Sequence, residues 1–185
     1  ESLSFHGMWK VDPKWNLFAD ATWTRHSRFN QAILQYENMK DVLEAGADGK
    51  DKKSNKTVLN PNWKDTWKFG VGASYQITEP LQLRFGLAYD QSPVRSSEYR
   101  MSTLPDNDRI WFSVGGKYDF NKHHSVNVAY SYIYIKDAEA QVNGYGTDKN
   151  AWGAGSSASV SSKTNGSAKF DSNAHILGVQ YTYRF

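Results

Sequence analysis

The sequence predicts an all-β protein, a transmembrane antiparallel β-barrel, and three observations predict it. Apolar residues recur at every second position over long stretches, the period of a strand with one face against an apolar medium. The 185-residue chain is polar on average, with mean hydropathy −0.70, yet it holds 7 Trp, 11 Tyr and 9 Phe. A wet lumen with an aromatic, lipid-facing exterior reconciles those two facts. Short and long connections alternate along the chain, as they do in outer-membrane barrels. No run approaches the roughly 20 apolar residues of a spanning helix, so any crossing is made by strands.

Taken in order, residues 2–11 alternate Leu3, Phe5, Trp9 and Val11 against Ser4, His6, Met8 and Lys10. Asp12-Pro13-Lys14 turns the chain. Residues 15–25 place Trp15, Leu17, Ala19, Ala21 and Trp23 outward, with Phe18 an aromatic on the polar face. The alternation stops over 26–62, where Phe29, Ile33, Tyr36 and Leu43 fall near helical spacing and suggest a short amphipathic helix over 30–45. Residues 46–56 read as a charged loop.

Strands 63–77 and 81–90 follow, joined by Thr78-Glu79-Pro80, with Arg84 and Asp90 pointing inward. Residues 91–108 form a medium loop. Strand 109–120 puts Ile110, Phe112, Val114 and Tyr118 outward, and Arg109, Trp111, Lys117 and Asp119 inward. In strand 125–136, Ile133 and Ile135 face inward opposite Tyr132 and Tyr134. Residues 137–169 are rich in Gly, Ser, Ala and Asn and read as a long loop. Strand 170–185 ends on Tyr181, Tyr183 and Phe185.

The whole is one barrel segment of about seven strands, with long loops 26–62, 91–108 and 137–169 on the extracellular side. Single-chain bacterial barrels have even strand numbers. Moreover, the first strand would start on the long-loop side. An upstream part of the barrel is therefore expected to be missing. Glu1-Ser2-Leu3-Ser4 has neither the basic nor the apolar region of a secretory signal, which fits a mature or shortened start.

Several classes are disfavoured. Net charge is +3, and the Lys50, Lys52, Lys53 cluster is diluted by Asp48 and Asp51, so nucleic acid is not an expected partner. There is no cysteine, which excludes disulfides and thiolate chemistry. His6, His26, His123, His124 and His175 show neither a serine partner nor metal-ligand spacing, so neither catalysis nor a cofactor or metal is expected.

Certain segments carry a resemblance. Asn62-Trp63-Lys64-Asp65-Thr66-Trp67-Lys68-Phe69-Gly70, Ala88-Tyr89-Asp90-Gln91-Ser92-Pro93-Val94, Leu104-Pro105-Asp106-Asn107-Asp108-Arg109-Ile110-Trp111 and the closing Tyr181-Thr182-Tyr183-Arg184-Phe185 resemble the FadL-type long-chain fatty acid transporters of the Gram-negative outer membrane. The opening Glu1-Ser2-Leu3-Ser4-Phe5 and 18–24 fit as well. The resemblance implies a 14-stranded barrel with an N-terminal plug, of which this chain would be the C-terminal half. It also implies uptake of long-chain fatty acids or similar hydrophobic compounds, such as aromatic hydrocarbons. The plug and the kinked strand of the family have no counterpart in these residues.

A fatty acid needs an apolar groove and a cation for its carboxylate. Inward Phe18, Trp111, Ile133 and Ile135 are the candidates for the tail, and Arg84, Arg109 and Lys117 for the head. The competing account is lumen ion pairing of these cations with Asp20, Asp90 and Asp119. Expected partners are a fatty acid or detergent, outer-membrane lipid, the missing N-terminal half, and barrel-assembly machinery reading Tyr181, Tyr183 and Phe185. The alternatives are a general porin, a surface-recognition barrel, or a barrel fragment held as an assembly substrate.

Overall fold

In the computed structural model the described residues are 1–35, 37, 42–45, 51–54, 56–59, 61–100, 104–143 and 165–185. The strands are β1 (Ser2–Lys10), β2 (Trp15–Thr24), β3 (Ala32–Gln35), β4 (Val42–Ala45), β5 (Asp51–Ser54), β6 (Lys56–Leu59), β7 (Thr66–Thr78), β8 (Leu81–Asp90), β9 (Arg109–Asp119), β10 (His124–Asn143) and β11 (Asn165–Tyr183). Seven of them form one sheet in the order β1-β2-β7-β8-β9-β10-β11. Every neighbouring pair is antiparallel. β3 pairs with β6 and β4 with β5, each as a separate two-stranded ladder.

The register confirms the two faces. One row of partners runs Trp9, Leu17, Ala73, Phe85, Val114, Tyr130, Leu177 across all seven strands. The next outward row runs Gly7, Ala19, Val71, Leu87, Phe112, Tyr132, His175. These large apolar side chains stand exposed, Leu177 by 72% and Val179 by 69%. Contiguous apolar exposure on that scale has no place in water and marks a lipid-facing surface.

Aromatics form two belts on this face, and both descend from β1 towards β11. Counting from the Gly7–His175 row, the lower belt lies two residues down at Trp9, four at Trp15 and Tyr75, six at Tyr118, and six to eight at Tyr181 and Tyr183. The upper belt moves from Trp23 and Trp67, four residues up, to Phe69 and Tyr89, two up, and on β10 takes in Tyr134, two up, and Tyr132 in the row itself. A step of nearly one residue per strand, about 3.3 Å against about 4.8 Å of lateral spacing, is an inclination of roughly 30–35°. That is close to the strand tilt of closed outer-membrane barrels.

Three readings from sequence change. The stretch 30–45 is not helical where it is described: after a 3-10 turn at His26–Arg28 come β3 and β4, each paired to a later strand. Ladder partners decide the outcome, from Lys56–Leu59 for β3 and from Asp51–Ser54 for β4, and helical spacing cannot see them. Tyr36 lies outside the described residues. β7 begins at Thr66 instead of 63, because Trp63 packs against His26 and Phe29, with ring centroids 5.9 and 4.8 Å away. Finally, 137–143 and 165–169 are strand, not loop. β10 and β11 stay paired out to Asn143 and Asn165.

A β-bulge between Ile135 and Ala138 permits that extension. Three steps on β10 match two on β11, so Ile133, Ile135, Ala138 and Ala140 all share the inner face. Ala138 stands opposite Phe170. Together with Val94, the residues Ile133, Ala138 and Ala140 are the buried apolar side chains among the described residues.

The lipid face sets a depth-dependent expectation. Val71→Arg, in the middle of the apolar band, should destabilise the full-length protein by about 2–4 kcal/mol, and Tyr75→Arg, in the lower belt, by about 0–1 kcal/mol. Urea unfolding in detergent micelles, followed by tryptophan fluorescence, measures both.

Candidate functional site

The polar parity of each strand forms the inner face. Its central row is Met8, Phe18, Gly72, Gly86, Ser113, Ser131, Ile176, and the row above is His6, Asp20, Gly70, Ala88, Trp111, Ile133, Ala174. Between Phe18 on β2 and Trp111 on β9 lie only Gly70, Gly72, Gly86 and Ala88 on the intervening strands. The result is a trough of about 14 Å, three strand spacings, floored by glycine and one alanine, with the Asp20 carboxylate over Gly70. A Cβ at Gly72 would come within 3.0 Å of the Phe85 carbonyl oxygen and one at Gly70 would meet the Asp20 carboxylate, whereas Gly86 has room for one.

All seven sequence-predicted lining residues fall on this face, but they do not form one cluster. Trp111 is the direct partner of Ile133, and Arg109 of Ile135. Phe18 stands across the trough beside Met8. Arg84 lies below, over Gly115, with its Nε donating to Gln82 at 2.9 Å. Lys117 sits lower still and is tied to Asp119 at 2.7 Å.

The charges sort in the same way. Arg109 faces Asp90 at 3.5 Å and Asp106 at 3.7 Å. Arg109 and Lys117 are therefore in ion pairs. Arg84 has no carboxylate partner among the described residues.

Sequence reasoning passed over Lys68. Its Nζ lies 4.8 Å from the centroid of the Trp111 ring. The indole Nε1 of Trp111 is buried and has no hydrogen-bond partner among the described residues. A buried donor left unpaired costs about 1–3 kcal/mol, so it marks a place where an acceptor would be welcome. Lys68 was legible as an inward cation, but its contact with Trp111 depends on the register of β7, β8 and β9.

Above the trough, residues 91–108 are clipped down by their own polar groups. Asp108 accepts from the Tyr89 hydroxyl at 2.6 Å, the Ser92 N–H at 2.9 Å and the Lys136 ammonium at 3.1 Å. The Ser92 hydroxyl donates to Asp106 at 2.8 Å. Arg100 is buried, and its guanidinium donates to the carbonyls of Asp106 and Glu139. A 3-10 turn at Ser97–Tyr99 packs on β10. The Asp-Gln-Ser-Pro-Val and Pro-Asp-Asn-Asp-Arg segments are thus each other's partners, one at each end of a single latch.

Burial pushes the Asp108 carboxyl up, but the hydrogen bonds from Tyr89, Ser92 and Lys136, with the Lys136 charge, outweigh it and hold the group below its ordinary value.

A family model described as outer membrane protein transport protein (OMPP1/FadL/TodX) matches residues 1–185. The chain belongs to the FadL/TodX family of outer-membrane transport proteins. An outer-membrane protein of Neisseria meningitidis serogroup B is 50% identical over 185 residues, which is 100% of this chain and 36% of that protein. The long-chain fatty acid transport protein of Escherichia coli K12 is 30% identical over 139 residues, 72% of this chain and 28% of that one. A Pseudomonas aeruginosa FadL homologue of known crystal structure aligns with TM-score 0.69 at 22% identity, covering 98% of this chain and 35% of that chain. The chain thus spans about a third of the length of these FadL/TodX relatives. Membership places it in the bacterial outer membrane, with the aromatic-belted face against lipid.

A carboxyl whose folded pKa is depressed adds stability above its unfolded pKa and loses it as pH falls through the folded one. Asp108→Asn should therefore destabilise the full-length protein at neutral pH by about 1–3 kcal/mol, the range for a lost charged hydrogen-bond set. The gap between mutant and wild type should close as pH drops below the carboxylate range. Denaturation midpoints across a pH series read both effects.

Proposed function

We propose that the inner face of this chain contributes the binding surface of a transporter for long-chain fatty acids or similar hydrophobic compounds. The observation that carries the reading is the meeting of an unpaired buried donor, a cation and an apolar wall. Trp111 Nε1 and Lys68 lie beside Ile133, and Arg109 is in the next row. A carboxylate satisfies the indole N–H and the ammonium together, while an acyl chain covers Ile133 and Ile135 or lies in the glycine-floored trough towards Phe18. Arg84, the cation below the trough, is the second head-group candidate, and Lys117, locked to Asp119, is the weakest.

A general porin fits less well. Its lumen is a water channel lined by opposed charges, whereas here the 3-10 turn at Ser97–Tyr99 packs on β10, whose Ile133, Ala138 and Ala140 are buried. We also assign Tyr181, Tyr183 and Phe185 to contact with the barrel-assembly machinery. Their support is their outward exposure at the short-turn end of the last strand.

The full-length protein should bind a fluorescent long-chain fatty acid saturably. Trp111→Ala and Ile133→Asp should each raise Kd about tenfold or more, the effect of roughly 1.4 kcal/mol. Lys68→Met should weaken the free acid yet leave its methyl ester unchanged. An absence of saturable binding, combined with free permeation of small sugars, would turn the assignment to a porin.

A further inference from the structure

The short-turn end of the sheet is uneven in charge. In the turn after β1, Asp12 accepts from the N–H groups of Lys14 and Trp15, so the Lys14 charge has a carboxylate beside it in the chain. The turn after β7 carries Glu79. The turn between β9 and β10 instead holds Lys122, His123 and His124, and Arg184 lies against it, its N–H donating to the His123 carbonyl at 2.8 Å. Asp119, the nearest acidic side chain in sequence, faces inward and is bound by Lys117.

The two imidazoles are held in place. Asn121 Oδ1 accepts from the N–H groups of His123 and His124 at 2.9 and 3.0 Å. His123 Nδ1 lies 2.9 Å from the Arg184 carbonyl, which makes Nδ1 the protonated nitrogen. His124 Nδ1 pairs with the Tyr181 hydroxyl. With Tyr181 donating, the proton of that ring sits on Nε2. Neither Nε2 has a partner among the described residues.

Around them stands an outward aromatic shelf. Tyr118 and Phe120 meet edge-to-face at 5.0 Å, Tyr183 and Phe185 at 4.9 Å, and His124 lies 4.9 Å from Tyr183. This is the lower belt, the height at which Tyr side chains meet lipid head groups.

We propose that Lys122 and His124, with this shelf, bind the phosphate of an anionic glycerophospholipid in the leaflet at the short-turn end. Lys122 supplies charge and the free His124 Nε2–H a donor for the phosphate oxygens, and the rings supply flat area for the glycerol and the first acyl carbons. The shelf selects a lipid over a free ion, since only a lipid covers it.

The test uses the full-length protein in nanodiscs of phosphatidylcholine containing a minor share of phosphatidylglycerol, with bound lipid counted by native mass spectrometry. Only protein that shows the heat-modifiable, folded form is scored, so an assembly defect cannot pass for lost binding. Phosphatidylglycerol should be enriched on the wild type. Lys122→Gln should cut its occupancy roughly fivefold, the effect of about one surface cation. His124→Gln should lower it less, and Lys14→Gln, beside Asp12, should leave it unchanged. Equal occupancy by the two lipids, or equal losses from Lys122→Gln and Lys14→Gln, would overturn the proposal.

Discussion

Everything in this sheet depends on backbone hydrogen bonds that lipid cannot replace. In a bilayer an unpaired N–H or C=O costs several kcal/mol, so each strand must be laddered to its neighbour through the full hydrocarbon depth. That demand fixes register, and register fixes which side chains see lipid, because a slip of one residue would turn a whole strand over. The seven strands hold one parity from Trp9 to Leu177. Of the two register shifts, that at Gln76/Thr78 falls at the end of β7, and that at Ile135/Ala138 lies within β10, just beyond the stretch paired with β9. The inner face is the complement of that constraint, and its chemistry is free to vary because the outer face carries the membrane.

The β10 shift shows how a local irregularity serves the inner face. Without the extra residue, Ala138 and Ala140 would turn outward and Asp137 and Glu139 inward. With it, the apolar wall begun by Ile133 and Ile135 continues upward, and the acidic side chains face away. Lys136, within the bulge, is released to reach Asp108, and its N–H donates to the Asp108 carbonyl at 2.9 Å. The bulge therefore both extends the wall and anchors the loop that lies against it.

Sequence pattern made the seven strands, their polarity and the inward set of Phe18, Arg84, Arg109, Trp111, Lys117, Ile133 and Ile135 readable, since each follows from a period of two. It could not make their grouping readable. Lys68 meets Trp111 only because β7 and β9 are spaced by one strand in a particular register. Lys117 leaves the group because Asp119, two residues away on the same face, takes its charge. Trp63 keeps the outward parity of the following strand yet packs on His26 and Phe29, a contact made across a long connection. Helical spacing over 30–45 misled for a similar reason: pairing with residues beyond 50 outweighed a loose local pattern.

The uneven length of the strands has a geometric consequence for the mouth of the sheet. β8 and β9 stop at Asp90 and Arg109, and the chain between them folds back, whereas β10 and β11 run on from Ile135 to Asn143 and from Ser172 to Asn165. At about 3.3 Å per residue, that is roughly 23–26 Å of extra ladder measured along the strands. The rim is thus a low sill beside a tall wall. The described residues between β8 and β9 lie over that sill, tied to Asp106 and Asp108, so the tall wall of β10 and β11 stands beside a capped edge of the sheet.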